Sequence, residues 1–133
     1  MAAIGSRLLL IGVLCLTGVS WAADAVFAAT KVWTSGEERG IAQMEESARR
    51  MHVKVFDLIA VHNLTDWKTQ LATLKRWKAE GKVRYIGITT SHGRDHEGVL
   101  EVMRTEPLDF VQFSYNIADR EAEKALLPLA QDR

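Results

Sequence analysis

Cysteine is almost absent from this chain of 133 residues, in which Cys15 is the only one. A single thiol excludes a disulfide within the chain. An excess of either charge is also lacking, since 17 Lys and Arg residues balance 17 Asp and Glu residues. This balance removes the electrostatic argument for nucleic acid or an anionic membrane surface as a partner. We therefore expect a small neutral or polar ligand.

A long apolar run is missing as well, because the longest stretch, residues 8–19, is too short to span a bilayer comfortably. We expect no stable membrane span. Ser20-Trp21-Ala22 offers the small residues that signal peptidase reads, so residues 1–22 are predicted to be a signal peptide. A non-native leader is the alternative, whereas bulky Leu14 before Cys15 disfavours a lipoprotein. A cleaved leader would imply an exported or periplasmic protein, and an uncleaved one a cytoplasmic protein.

Four short apolar segments recur at about the spacing of one βα unit. We predict that they form strands: Ala25–Thr30, Phe56–Val61, Val83–Ile88 and Leu108–Phe113. Their mostly continuous apolar character is typical of a parallel sheet that is buried on both faces.

The segments between the strands have helical periodicity, which predicts helices over Glu37–Met51 and Asp66–Gly81. Their inward stripes are predicted to be Ile41, Met44, Ala48 and Met51 in the first, and Trp67, Leu71, Leu74 and Trp77 in the second. Ser35 and Glu38 stand at capping-box spacing before the first helix. Asp66 is a predicted N-cap, and Gly81 a predicted residue just past the C-cap.

A third helix is predicted before Pro107, with an inward stripe made of His96, Val99, Leu100 and Met103. A fourth is predicted to start over Glu121–Leu127, where Pro128 would break or kink it.

The resulting order, βαβαβαβα, is shared by doubly wound dinucleotide folds and by (β/α)8 barrels. A dinucleotide fold requires a G-x-G-x-x-G turn after its first strand, and this sequence contains none. A complete barrel needs about 250 residues. The sequence therefore predicts an α/β fold, a partial (β/α)8 TIM barrel of about four βα units preceded by the apolar leader.

Each predicted strand leads into polar or ionisable side chains at its C-terminal end: Lys31, His62, Thr89 with Thr90, and Gln112 with Tyr115. Reactive groups of parallel α/β folds lie on that edge, because its loops vary while the strands stay in place. Simpler interpretations remain open: Lys31 as a solvated surface cation, and Gln112 and Tyr115 as caps of a buried strand.

The strand sequences resemble consecutive strands of the aldo/keto reductases: Ala29-Thr30-Lys31-Val32-Trp33, Asp57-Leu58-Ile59-Ala60-Val61-His62-Asn63, Gly81-Lys82-Val83-Arg84-Tyr85-Ile86-Gly87-Ile88-Thr89 and Asp109-Phe110-Val111-Gln112-Phe113-Ser114-Tyr115. By this resemblance they correspond to strands three to six of the barrel, and residues 23–133 form a partial aldo/keto reductase domain. The family reduces aldehydes or ketones to alcohols with NADPH or NADH, so a small-molecule carbonyl substrate is expected.

The resemblance also implies roles for particular residues. Lys31 matches the lysine that lowers the pKa of the catalytic tyrosine, and His62 the histidine that orients the carbonyl. Thr89 and Thr90 stand at the family's Ser-Asn pair, and Gln112 matches the residue that holds the nicotinamide carboxamide. Tyr115 is expected to offer a ring near the nicotinamide, although the family's stacking ring commonly comes from a later strand.

Two departures from the family limit what we expect of the chain. The family's catalytic tyrosine and aspartate precede the third strand, where this sequence has the apolar leader. The segment that binds the adenosine phosphate would follow Arg133. We therefore expect a fragment with little activity by itself. The alternative is a non-catalytic, exported half-barrel that associates with itself through its open edges.

The remaining motifs provide weaker evidence of function. His92 and His96 lie among acidic residues, but no further ligand is in sight, so a metal site is not predicted. Asn63-Leu64-Thr65 meets the glycosylation sequon, yet it follows His62 at the expected pocket mouth, which favours chance occurrence. Trp33 is expected to form a wall of that pocket.

Overall fold

A computed structural model describes residues 26–91 and 95–133, so the predicted leader, Cys15 and His92 lie outside the described residues. Four strands alternate with four α-helices, in the order β1 Ala29–Val32, α1 Glu37–Met51, β2 Phe56–His62, α2 Trp67–Ala79, β3 Val83–Thr89, α3 His96–Thr105, β4 Phe110–Gln112 and α4 Leu126–Asp132. A 3₁₀ turn over Glu121–Glu123 precedes α4. The strands form one sheet in chain order, and each adjacent pair is parallel. The predicted α/β organisation is confirmed.

The helices cover one face of the sheet. The residues that point toward them are almost fully buried and include Val32, Ile59, Val61, Ile86 and Ile88. On the opposite face Lys31, Phe110 and Gln112 are exposed. The prediction of a sheet buried on both faces is therefore wrong for the described residues, because no helix lies over this second face among them. We call it the open face.

Pairing shifts the strand limits from those predicted. β1 begins at Ala29 and continues through Lys31 and Val32, which pair with Ala60 and Val61 of β2. β4 is shorter than predicted, because three of its residues, Phe110 to Gln112, pair with β3.

Two aspartates help to join neighbouring strands. The carboxylate of Asp57 accepts a hydrogen bond of 2.8 Å from the backbone N–H of Ala28, and that of Asp109 accepts one of 2.8 Å from Ile86. The Ala28 bond is the main reason why the pKa of Asp57 is lowered. Each carboxylate thus accepts from a backbone N–H in the preceding strand or, for Ala28, directly before it.

Most predicted inward residues of the helices are confirmed. Met44, Leu71, Leu74, Trp77, Val99, Leu100 and Met103 are buried. Met51 is instead largely exposed, because α1 ends there and the chain leaves the sheet surface. His96 is partly buried at the start of α3, with its ring 6.3 Å from that of Phe113.

The predicted helix ends need three corrections. The N-cap of α1 is Gly36 and no side chain caps it, so the capping box at Ser35 and Glu38 does not form. Asp66 occupies the N-cap position of α2, but its carboxylate accepts no hydrogen bond from the N–H groups of that helix. Pro128 does not break α4, because it lies in the first turn, where a backbone N–H has no intrahelical acceptor.

The C-terminal end of α2 agrees with the sequence. Glu80 is the C-cap and Gly81 follows with φ +73°, a conformation that glycine adopts without strain.

Burial of the α2 stripe should dominate the stability of the fold. Leu74→Ala should lower the free energy of unfolding by about 2–5 kcal/mol, because it leaves a cavity between α2 and the sheet. Leu127→Ala, the same change at a position of α4 where the leucine is 36% exposed, should cost less than about 1 kcal/mol. Urea denaturation followed by circular dichroism measures both, and equal losses would contradict the assignment of the core.

Candidate active site

Three predicted site residues lie in one row across the C-terminal end of the sheet. His62 of β2 pairs in register with Thr89 of β3, and Thr89 pairs with Gln112 of β4. Lys31 pairs with Ala60, which precedes His62 by two residues and so points to the same face. The C-terminal end of the sheet therefore brings together an ammonium group, an imidazole, the buried hydroxyl of Thr89 and a carboxamide.

Gly87 allows the last of these strands to approach. A Cβ atom at Gly87 would lie 2.5 Å from the backbone carbonyl oxygen of Phe110, which is closer than real atoms pack. The absence of a side chain at this position lets β4 pair with β3 and brings Gln112 beside Thr89.

His62 is partly buried and contacts Trp33. Their rings lie 5.2 Å apart at 80°, an edge-to-face arrangement. Nδ1 of His62 is buried without a hydrogen-bond partner among the described residues. A buried polar atom in that condition is destabilising until it is paired. Trp33 is 60% exposed beside His62, and its role as a pocket wall stays a prediction.

Thr89 and Thr90 are both buried at the end of β3. Their backbone groups join the neighbouring segments: the Thr89 carbonyl accepts from Asn63 N–H at 2.6 Å, and Thr90 N–H donates to the Gln112 carbonyl at 2.9 Å. Oγ1 of Thr90 has no hydrogen-bond partner among the described residues. The Gln112 residue itself is exposed.

Tyr115 lies past the end of β4 and takes part in a different group of contacts. Its hydroxyl donates to Oε1 of Glu123 at 2.6 Å, and Nε of Arg120 donates to the same oxygen at 2.8 Å. The bond to Glu123 raises the pKa of Tyr115, and the two donors lower the pKa of Glu123. The structure brings Lys31, His62, Thr89 and Gln112 to one edge but engages the Tyr115 hydroxyl with the segment before α4.

Comparison with known proteins identifies the family. The sequence profile described as "Aldo/keto reductase family" matches residues 15–133. The chain belongs to the aldo/keto reductase family. The match begins inside the predicted leader and covers the whole described part of the chain.

The individual proteins that the chain matches are also named as reductases. An "NADH-specific methylglyoxal reductase" of Escherichia coli (strain K12) is 30% identical over 96 residues, which cover 68% of this chain and 28% of the relative. The holo form of an aldo-keto reductase from Bacillus halodurans is 23% identical with a TM-score of 0.70, over 85% of this chain and 40% of that one. An aldo-keto reductase of Klebsiella pneumoniae in complex with NADPH is 24% identical with a TM-score of 0.66, over 84% and 40%. These likenesses confirm the predicted partial (β/α)8 barrel, and the chain spans well under half the length of each relative.

Sequence reasoning missed the residues that brace the turn after β2. Oδ1 of Asn63 accepts from the backbone N–H of Ser91 at 3.0 Å and from its hydroxyl at 3.1 Å. Asp66 accepts from the backbone N–H of Gly36, and this bond is the main reason why the Asp66 pKa is lowered. The available signal was an Asn and an Asp in a four-residue turn, since both residue types adopt left-handed backbone readily.

Residues 26–91 and 95–133 contain no cluster of three His, Cys, Asp or Glu side chains arranged to hold a metal ion. None of the helices in these ranges has the length and apolar character needed to cross a membrane.

The Tyr115 contact predicts a measurable titration. In a Tyr85→Phe background Tyr115 is the only tyrosine, and its phenol should ionise above the ordinary pKa, because deprotonation breaks the bond to the Glu123 carboxylate. Glu123→Gln should return the pKa toward the ordinary value, while Glu121→Gln, two residues away, should leave it raised. Absorbance at the phenolate band against pH measures the shift, and an identical titration in all three proteins would contradict the contact.

Proposed function

We propose that this chain carries the carbonyl-orienting and nicotinamide-binding part of an aldo/keto reductase site, which reduces a small aldehyde or ketone to an alcohol with NADH or NADPH. The observation that carries the proposal is the row His62, Thr89 and Gln112, with Lys31 on the same open face. A relative named for methylglyoxal reduction makes a 2-oxoaldehyde the first substrate to test.

The residues at the end of β3 and β4 suit a nicotinamide. The Thr90 hydroxyl, which has no hydrogen-bond partner among the described residues, and the exposed Gln112 residue offer hydrogen-bonding groups that a carboxamide can complement. Thr89 would supply a second hydroxyl to the same group. Tyr115 would add its ring, since that ring is 49% exposed while its hydroxyl is held by Glu123. When bound, the cofactor supplies the hydride for the carbonyl carbon.

His62 and Lys31 would act on the carbonyl oxygen, where negative charge develops. The imidazole can donate a hydrogen bond to that oxygen, which lowers the barrier more as the charge grows. The Lys31 ammonium favours an anion beside it, either the alkoxide or the phenolate of a proton-donating tyrosine. No tyrosine precedes Lys31 in the sequence. We therefore propose that full activity needs a tyrosine supplied by another segment, and that the chain alone turns over slowly.

Substitution of the two groups tests these roles. In the chain complemented with the tyrosine-bearing part of a relative, Lys31→Met and His62→Ala should each reduce kcat/KM for methylglyoxal at least about 100-fold. The exposed residues Lys54 and His52 provide matched controls, and Lys54→Met and His52→Asn should change it less than about twofold. NADH or NADPH oxidation measures the rates. Retained turnover in both site variants would refute the roles, and binding of either cofactor to the chain alone by NMR tests the nicotinamide residues separately.

A second candidate function, a non-catalytic exported half-barrel that associates with itself, is favoured by an aromatic cluster on the open face. The rings of Phe27, Tyr85 and Phe110 lie 5.5 to 6.4 Å apart, and Phe27 and Phe110 remain 51% and 44% exposed. β1 and β4 form the outer edges of the described sheet. Exposed aromatic surface beside unpaired strand edges favours association.

Sedimentation at micromolar concentration distinguishes this candidate. Self-association through the open face predicts a dimer or larger species that Phe110→Gln shifts toward monomer by at least about tenfold in dissociation constant. Ile117→Gln removes an equally apolar but separate side chain, 98% exposed, and should leave the distribution unchanged. A folded wild-type monomer would exclude the candidate.

A further inference from the structure

The loop that leaves β1 is held by the first turn of α2. Oδ2 of Asp66 accepts a hydrogen bond of 2.7 Å from the backbone N–H of Gly36, while Oδ1 accepts one of 2.8 Å from the hydroxyl of Thr69. Gly36 has φ +88°, in the left-handed region, and is the N-cap of α1. The Asp66 carboxylate therefore fixes the residue at which the loop becomes a helix.

Gln70, one turn later on α2, also forms hydrogen bonds to the same loop. It is fully buried, and its Nε2 donates to the carbonyl oxygens of Thr34 and Gly36 at 3.2 and 3.1 Å. A buried amide is costly wherever its hydrogen bonds are not satisfied. Here the loop carbonyls accept from the amide nitrogen, whereas Oε1 is buried with no hydrogen-bond partner among the described residues. Asp66 and Gln70 together make three hydrogen bonds to residues 34–36, and we call these two residues the clamp.

Helix α1 leaves space for the clamp at Gly40. A Cβ atom at Gly40 would lie 2.1 Å from Oε1 of Gln70. Alanine is ordinarily preferred over glycine inside a helix. At this position it would displace the Gln70 amide, so the glycine keeps the space that the clamp occupies.

The clamp joins the two segments that carry Trp33 and His62. Trp33 is the first residue after β1, and its ring packs edge-on against His62, the last residue of β2. The turn after His62 is strained at Leu64, which has a positive φ although it is not glycine, asparagine or aspartate. Asn63 and Asp66 in the same turn also have positive φ, which their residue types adopt more readily. The clamp bonds run from the end of this turn to the loop after Trp33, and they hold both segments in one arrangement.

We propose that Asp66 and Gln70 are positioning residues that set the orientation of His62 by holding Trp33 against its ring. The proposal concerns the geometry of the edge, and its catalytic consequence rests on the proposed function of His62. In the complemented reductase, loss of the clamp should lower kcat/KM for the carbonyl at least about tenfold while leaving the affinity for NADH or NADPH within about twofold, because the hydrogen bonds of the clamp go to residues 34–36 and Thr69 and not to Thr90 or Gln112.

Proton NMR of the chain itself tests the geometry without reference to activity. The His62 ring protons should be displaced by the Trp33 ring current, and Trp33→Ala identifies that displacement. Asp66→Ala, Gln70→Leu and Gly40→Ala should each move the His62 signals toward their positions in Trp33→Ala. Asp66→Asn keeps an acceptor oxygen and tolerates the left-handed backbone, so it should retain the wild-type signals.

A matched control separates positioning from stability. Thr73 is buried on α2 and donates to the carbonyl of Thr69, so Thr73→Val perturbs the same helix without touching the loop and should leave the His62 signals unmoved. Unchanged His62 signals in folded Asp66→Ala and Gln70→Leu would overturn the proposal. Displaced signals together with full activity in His62→Ala would instead overturn the proposed function and leave the clamp standing.

Hydrogen exchange in the wild-type chain covers the case in which the variants fail to fold. The Gly36 amide, donated to Asp66, should exchange at least about tenfold more slowly than an open loop amide. Exchange at the open rate would show that the clamp is not formed in solution and would overturn the proposal.

Discussion

The pairing register of β2, one of the two inner strands of the sheet, is the constraint on which the rest of the structure depends. β2 pairs with β1 on one side and β3 on the other, and β3 transmits the alignment to β4. Because side chains alternate between faces, a slip of one residue would send His62 toward the helices and Val61 to the open face. The burial of Ile59 and Val61 under the helices therefore determines that His62 lies on the open face.

One face of the sheet packs into the hydrophobic core, and the other carries the candidate site residues. One face is apolar and covered by α1, α2 and α3, whose buried stripes hold the helices in place. The other carries ionisable and amide groups at its C-terminal edge and aromatic rings nearer its beginning. The absence of a side chain at Gly87 lets β4 pair with β3, and this pairing places Gln112 beside Thr89. The same arrangement underlies the proposed part of a reductase site and leaves an aromatic surface uncovered among the described residues.

Patterns that depend on local periodicity were predicted well. The range of α1 and the beginnings of β2 and β3 agree with the sequence, because alternation and helical stripes reflect which side chains meet the core. The helix ends were less predictable. Ser35 and Asp66 have the residue types of N-caps, but the loop after β1 and the turn after β2 bind each other, and Asp66 satisfies Gly36 instead of its own helix. Pro128 was misjudged because its effect depends on whether it falls in the first turn of a helix.

The sequence alone determined the α/β class, the parallel order and the family, because these follow from apolar periodicity and from strand motifs in consecutive order. It also indicated the polar residues at the strand ends. Tertiary structure decided which of them meet: strand register places His62, Thr89 and Gln112 in one row, while the Tyr115 hydroxyl pairs with Glu123. It also decided the roles of Asp66 and Gln70, whose partners lie 30 and 34 or more residues away. Contacts of that separation leave no periodic trace in a chain, because they depend on how two loops pack and not on the propensity of either one.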